Sequence, residues 1–420
     1  MKGLLQSLLN AEPLDLERLA AAWAGLIPLF SRLKHTQAAD RSLLQATQSL
    51  MDALRADPPL APPPAADPTM QPWWAPMPAA YLAALCRYGG QTPDGRPPRV
   101  QPGSIPHRER EAAAAARELL RELGVPFVVR AHAVALLAHL PKTAAMLRAG
   151  ASPETYRRLA CSVDLRALCT LRRAELGVWG VPADAQPAAR LEAFERRLAD
   201  LGVYGVPAPP PVEPEEAAAL GYEDVRARHR ALNALRYFGL VAGMSERDWS
   251  LERLRQERER TPCRLHLLIG AAGSGKSTWA RDHLAHTTIV SSDRMREELT
   301  GDPADQSQNY LVFQRCMDRV REELRRGAEV TFDATNFTQG LRQMPVQAGR
   351  WSGAEIVSYL FDCGLEEVLM RNQSRERFVP EEVVARQHRL LEPPAFYEAD
   401  RHCLVRADGG LELYWPAGIA

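Results

Sequence analysis

The residues best equipped for chemistry form one short run, Gly270-Ala271-Ala272-Gly273-Ser274-Gly275-Lys276-Ser277, followed by Thr278. Its spacing is G-x-x-x-x-G-K-S, and each fixed position has a mechanical purpose. Glycines let the backbone curl so that successive N–H groups and a helix N-terminus face one anion, and the lysine then reaches the β- and γ-phosphates. The serine hydroxyl is a ligand for Mg²⁺. The expected ligands are therefore ATP and Mg²⁺, with Gly270, Gly273, Ser274, Gly275, Lys276, Ser277 and Thr278 as the nucleotide-binding set. Lysine usage supports the same reading. The chain has only Lys2, Lys34, Lys142 and Lys276 among 52 basic residues, and Lys276 alone follows Lys142. A compact ammonium suits this position, whereas a planar guanidinium does not.

Phosphoryl transfer needs little covalent help from the protein. It requires a held γ-phosphoryl, neutralised charge and an acceptor hydroxyl oriented near a base. Asp293, directly after Ser291-Ser292, is the candidate general base, the alternative being an N-cap for a helix starting at Arg294. Arg296 follows three residues later, near enough to grip an acceptor phosphate. Asp333 ends the apolar run Val330-Thr331-Phe332 as a Mg²⁺-holding carboxylate would, with a turn or capping hydrogen bond as the alternative. Arg371 and Arg375 are four apart and share a helix face. They are candidates for a mobile lid that closes over ATP and stabilises transferring charge, or else they mark a surface helix terminus. Arg377 lies just beyond.

These residues need a scaffold, and the pattern around them supplies one. Leu265–Ile269 reads as a strand entering the glycine loop, and Thr278–Leu284 as the helix leaving it. Strands then alternate with helices: Thr288–Ser291, helix 294–299, helix 310–326, Val330–Phe332, Glu355–Phe361 and a helix opening at Leu365. This rhythm predicts an α/β fold, a parallel sheet covered on both faces with the polar residues at the strand carboxyl ends.

The first half has a different texture. Leucine and alanine recur at helical spacing over 1–56, 79–88, 108–150 and 155–203, interrupted by a proline-rich run at 57–72 that no helix tolerates. The expected organisation is an all-helical domain over 1–205, a proline-rich linker with bridging helices over 206–258 and a P-loop domain over 259–420. Arg226, Arg228, His229, Arg230, Arg236 and Tyr237 make the bridge locally basic, which fits either a solvated helix face or a nucleic-acid contact.

Composition bounds the class. The 420 residues are 46% hydrophobic and 25% charged with net charge +0, as expected for a soluble, globular, two-domain chain. With no global basic excess, any nucleic-acid site must be a local arginine patch. No stretch approaches a membrane span or a signal-peptide core. The seven cysteines form no C-x-x-C pair, which suggests a reducing cytoplasmic setting and argues against a zinc ribbon.

The ordered set of glycine loop, Ser291-Ser292-Asp293-Arg294-Met295-Arg296, Asp333-Ala334-Thr335-Asn336, Arg371-x-x-x-Arg375 and Val379-Pro380-Glu381-Glu382 resembles the P-loop polynucleotide 5′-hydroxyl kinases of nucleic-acid repair. The resemblance covers about 260–400. It implies that Asp293 is the base for a 5′-hydroxyl of RNA or DNA, that Arg296 grips the acceptor's 3′-phosphate, and that Arg371 and Arg375 contact ATP phosphates. Related folds phosphorylate small molecules, so a small-molecule kinase and a nucleotide-gated ATPase or binding module stand as alternatives.

The N-terminal half resembles the HD-type phosphohydrolase domain of bacterial HD-Pnk proteins. The resemblance rests on Ala46–Met51, Asp94-Gly95-Arg96, Gly103–His107, Gly124-Val125-Pro126-Phe127 and Leu136–His139. It implies an all-α HD-like domain whose metal ligands are missing. The expected His falls on Ala46, the His-Asp pair on Cys86-Arg87 and the later Asp near Glu175. Cation chemistry needs several converging ligands. The phosphohydrolase activity is therefore expected to be lost, and His35, His107, His132 and His139 to be ordinary surface or core histidines.

Overall fold

A computed structural model of the chain describes 107–415, except positions 123, 179, 183, 303, 304, 306, 376 and 377, together with five residues between 50 and 56. The expected helices before 107, the proline run at 57–72, and Ala46, Cys86, Arg87, Asp94, His35 and Arg377 lie outside the described residues. The chain divides into two compact units, which part between Ala208 and Pro209 within the described residues. The described residues include no helix long and apolar enough to cross a membrane.

The described part of the first unit is helical: α1 His107–Glu122, α2 Phe127–His139, α3 Lys142–Arg148, α4 Pro153–Ala160, α5 Leu165–Val178 and α6 Gln186–Asp200. Leu120, Leu136, Leu168, Phe194 and Leu198 are buried and form its core. His132 is a core residue, fully buried, with its Nε2 3.4 Å from the Asp164 backbone N–H. Asp164 caps α5 by accepting from the Arg166 and Ala167 N–H groups, and burial raises its carboxyl to about 6. Burial likewise holds His139 well below the usual imidazole range. Glu175 is buried against Arg172. Among the described residues no group of three or more His, Cys, Asp or Glu is placed to hold a metal ion.

The second unit is built on one six-stranded sheet of order β2-β3-β1-β4-β5-β6. The strands are β1 Arg264–Ile269, β2 Thr288–Ser291, β3 Glu329–Asp333, β4 Glu355–Phe361, β5 Arg401–Val405 and β6 Leu411–Trp415. All neighbours pair in parallel except β5 with β6. Central strand β1 is buried on both faces, which is why it reads as a continuous apolar run rather than an alternating one. Helix α10, Lys276–His283, covers one face, packing Trp279 and Ala280 on Leu268, Val357, Tyr359 and Phe361. Helix α13, Gln339–Ser352, covers the other. There a Cβ at Gly349 would lie 2.9 Å from the Ile356 side chain and 3.0 Å from that of Leu265, so a larger residue would have to push these side chains aside. The remaining helices are α11 Ser292–Thr300, α12 Asn309–Arg325, α14 Leu365–Gln373 and α15 Glu381–Arg389.

The segment 206–258, expected to be a linker and a bridge, is built differently. From Pro209 it belongs to the second unit, as helices α7 Pro214–Ala219, α8 Val225–Val241 and α9 Arg247–Arg258. Helix α8 is anchored, not solvated. Asn233 Nδ2 donates to the carbonyls of Phe396 and Ala399 at 3.0 and 2.8 Å, and His229 Nε2 lies 3.1 Å from the Asp400 carbonyl. His229, Arg236 and Tyr237 are buried, so these members of the basic stretch are packing residues and not a nucleic-acid contact.

Candidate active site

The glycine loop leaves β1 at the centre of the sheet, where neighbouring strands diverge to either side, the place where α/β sheets bind ligands. Gly273 and Gly275 take φ of 83° and 90°, a left-handed backbone that glycine adopts without strain. At Gly273 space is as demanding as conformation, since a Cβ would sit 2.5 Å from the Val368 carbonyl oxygen. Lys276 opens α10 and folds back over the loop, with Nζ donating to the Ala271 carbonyl at 2.6 Å and to Ser274 Oγ at 3.2 Å. Burial lowers its ammonium to about 8, partly offset by the carboxylates of Asp333 and Asp293, while the Arg375 guanidinium lowers it further. The same four charged groups were singled out in the sequence, and they converge here.

On one side of the loop lie the ends of β3 and β2. Asp333 closes β3, paired in register with Ser291 of β2, and is largely buried. Among the described residues no hydrogen bond or ion pair engages its carboxylate. The turn hydrogen bonds considered for Asp333 are made by its neighbours. Asn336, at φ 46°, donates from Nδ2 to the Leu268 carbonyl at 2.9 Å, and the Thr335 carbonyl accepts from the Gly270 N–H at 2.9 Å. This turn therefore ties the end of β3 to the start of the glycine loop.

Asp293 sits in the first turn of α11, with Ser291 as the N-cap residue, so the capping alternative for Asp293 does not hold. Its carboxylate is half exposed and accepts from Arg296 Nη1 at 2.9 Å. Arg296 is buried and also donates from Nη2 to Asn309 Oδ1 at 3.0 Å. The pair places one accessible carboxylate and one buried cation side by side.

On the other side α14 packs directly on the loop. Arg371 donates from Nη1 to the Ser274 carbonyl at 3.5 Å and from Nη2 to the Ala407 carbonyl at 3.0 Å, and pairs with Glu367 at 2.6 Å. In this structure it bridges the glycine loop and the β5–β6 turn. Arg375 lies just beyond the helix and faces the cavity. The turn between α14 and α15 is pinned by Asn372, which donates to the Val379 carbonyl at 2.7 Å, and α15 is pinned to the loop by Gln387, whose Oε1 accepts from the Ala272 N–H at 2.8 Å.

A cavity of about 550 Å³ opens between Gly273–Thr278, Arg371, Arg375 and the turn Arg406-Ala407-Asp408-Gly409, with Trp279 and Phe361 in its walls. Its size suits a nucleotide. Sequence reasoning missed the 406–409 wall and the positioning roles of Asn336, Asn309 and Gln387. Asp408-Gly409 between two β-rich runs is a hairpin signal that points to that turn.

With this geometry in view, comparison with known proteins places the domain. Residues 265–394 match the family described as AAA domain. The second unit is thus a P-loop α/β domain, similar over these residues to AAA domains. Among similar solved structures is one titled "Structure of the Pnkp1/Rnl/Hen1 RNA repair complex", 26% identical, covering 32% of this chain and 45% of that one at a TM-score of 0.29. The chain therefore spans under half the length of that relative. Another is a gluconokinase from Sinorhizobium meliloti 1021, 16% identical, covering 36% of this chain and 85% of that one at a TM-score of 0.27.

Mg²⁺ is the cation that usually accompanies a nucleotide at a loop of this kind, and Ser277 and Asp333 are the residues to hold it. They present a hydroxyl and an unengaged carboxylate beside the loop, hard oxygen donors of the kind Mg²⁺ prefers. The residues fit the ion.

Proposed function

We propose that this protein is an ATP- and Mg²⁺-dependent kinase that transfers the γ-phosphoryl group to a 5′-hydroxyl end of RNA or DNA. The observation that carries the reading is the Asp293–Arg296–Asn309 cluster, a half-exposed carboxylate at 2.9 Å from a buried guanidinium, placed at the end of β2 beside the phosphate loop. A small acceptor needs a base. An acceptor that itself carries a phosphate also needs a cation near that base, and Arg296 supplies one.

In this reading Gly270, Gly273, Ser274, Gly275 and Thr278 cradle the phosphates with backbone N–H groups, and Lys276 holds the β- and γ-phosphates. Ser277 and Asp333 would hold Mg²⁺, which would supply positive charge against the phosphates. Asp293 accepts the proton from the 5′-hydroxyl as its oxygen attacks phosphorus, and ADP leaves. Arg296 turns from Asp293 toward the acceptor phosphate, which frees the carboxylate for its task. Arg375 faces the transferring group, and Arg371 keeps the glycine loop in shape. The N-terminal half acts in this reading as a helical, HD-like scaffold without its phosphohydrolase centre, in a cytoplasmic enzyme.

The test is transfer of labelled γ-phosphate from ATP to 5′-hydroxyl single-stranded oligonucleotides, RNA and DNA in parallel. Asp293→Asn is expected to lower kcat by about 10²–10⁴-fold while ATP still binds. No label on either oligonucleotide, with ATP bound, would reject the polynucleotide reading in favour of a small acceptor or a partner-gated ATPase.

A further inference from the structure

Helix α12 has 17 residues and is therefore about 25 Å long, and its two ends face different chemistry. At its start, Asn309 touches Arg296 of the acceptor cluster. At its finish, Arg321 and Arg325 line a cavity of about 680 Å³ beside Glu259, Arg260, Thr261 and Trp351. Those residues lead into the amino end of β1, about 20 Å from the glycine loop at the strand's other end.

One face of α12 runs between these ends, interrupted midway by the buried Met317 and flanked there by the exposed Asp318. Tyr310, Gln314, Arg321 and Arg325 are spaced by four, seven and four residues, which puts them on one stripe. Gln314 Nε2 donates to the Tyr310 hydroxyl at 2.7 Å, as neighbours on a stripe should. Tyr310 is 74% exposed, the most exposed large hydrophobic side chain among the described residues. The groove at the far end holds three arginines against one glutamate. Arg321 also pairs with the exposed Asp318 at 3.3 Å, and Arg260 donates to the Trp351 carbonyl at 2.9 Å. Arg325 has no carboxylate partner among the described residues. Trp351 is 41% exposed, with one side packed on Phe238 and the remainder open.

Guanidinium groups interleaved with open aromatic faces are what a single-stranded nucleic acid requires: cations for the phosphodiesters and rings for the bases. We propose that the stripe from Tyr310 to Arg325 and the Arg260–Arg321–Arg325–Trp351 groove form the track of a single-stranded polynucleotide whose 5′ end lies at Asp293. The proposal rests on the reading of the site as a polynucleotide kinase. At the ~3.4 Å rise of stacked nucleotides, the track is about six to seven nucleotides long.

The experiment compares a 5′-hydroxyl trinucleotide with a 12-mer, each as RNA and DNA, in the full-length protein carrying Arg321→Glu with Arg325→Glu. For the 12-mer, KM is expected to rise at least tenfold with kcat unchanged, and the slope of log KM against log salt to fall by about 1.4. For the trinucleotide neither constant should move. The neutral pair Arg321→Gln with Arg325→Gln, checked by thermal melting, should give the same pattern at smaller size, which separates charge from misfolding. Equal KM values for wild type and variant on the 12-mer overturn the track while leaving the kinase reading intact. Anisotropy of a labelled 12-mer without ATP gives the converse: binding weakened by the double variant in a protein that phosphorylates no oligonucleotide keeps the track and rejects the kinase reading. Preference for RNA or DNA in the 12-mer arm identifies the strand, and 12-mer binding that the variants leave unchanged rejects the track outright.

Discussion

Arg342 clamps the Asn336 turn that joins β3 to the glycine loop, and Arg375 faces the phosphate cavity, yet their surroundings are opposite. Arg342 is fully buried, and every guanidinium N–H is taken. Nε and Nη2 donate to Glu398 at 2.8 and 3.2 Å, Nη1 donates to the carbonyls of Asn336 and Glu392 at 3.0 Å each, and Nη2 also reaches the Pro393 carbonyl at 3.5 Å. Arg375 faces the cavity, and among the described residues no carboxylate or carbonyl takes its guanidinium. A saturated arginine holds the fold. An open one is available to a phosphate.

The comparison breaks first at its buried end. Arg342→Leu leaves the Glu398 carboxylate buried without its partner, and removing one member of such a pair costs about 3–5 kcal/mol. The expected readout is a fall in melting temperature of about 10 °C, with activity lost alongside because the Asn336 turn loses its clamp. Adding Glu398→Leu should restore most of the stability, since two apolar residues replace the pair without stranding a charge. If Arg342→Leu melted like wild type, saturation would not mark a structural arginine here.

At the open end the expected effect is on rate alone. Arg375→Ala should lower kcat by about 10²-fold, the scale of one lost charge-stabilising donor, and leave stability within about 0.5 kcal/mol. Arg371→Ala should behave between the two. Arg371 contacts both Ser274 and Ala407, so its loss should loosen ATP binding as well as slow transfer. A kcat for Arg375→Ala equal to wild type would remove that residue from the reaction.

What was legible in the sequence divides along the same line. The strand–loop–helix unit, the placement of Asp293 and Asp333 at strand ends and the α/β class follow from local pattern, since the spacing of glycines and the apolar runs are properties of neighbouring residues. The packing of α8 was not legible. Its arginines, histidine and tyrosine read as a basic surface, because the acceptors that bury Asn233 lie at Phe396, Ala399 and Asp400, more than 160 residues away. The surroundings of Arg371 were not legible for a related reason: Gly273 lets Val368 approach the loop to within contact, and the carbonyls that Arg371 meets belong to Ser274 and Ala407, far from it in sequence. Strands β5 and β6 escaped notice because Arg401-His402 and Glu412 interrupt their apolar runs, although the Asp408-Gly409 turn between them marks a hairpin.

Lys276 sharpens the comparison further, since it is both buried and functional. Burial lowers its ammonium to about 8 despite the nearby Asp333 and Asp293. Bound phosphate favours the charged form, so the bound protein holds this proton to higher pH than the free protein does. Affinity for ATP is therefore full below about pH 7 and falls as pH rises through 8, by about tenfold per pH unit, until the bound form also loses its proton. Titration of ATP binding from pH 6.5 to 9.5 checks this. Lys276→Met should bind ATP weakly at every pH, with a flat profile, whereas a flat profile in the wild type would mean that the lysine keeps an ordinary ammonium and that the desolvation of the loop is offset by its two carboxylate neighbours.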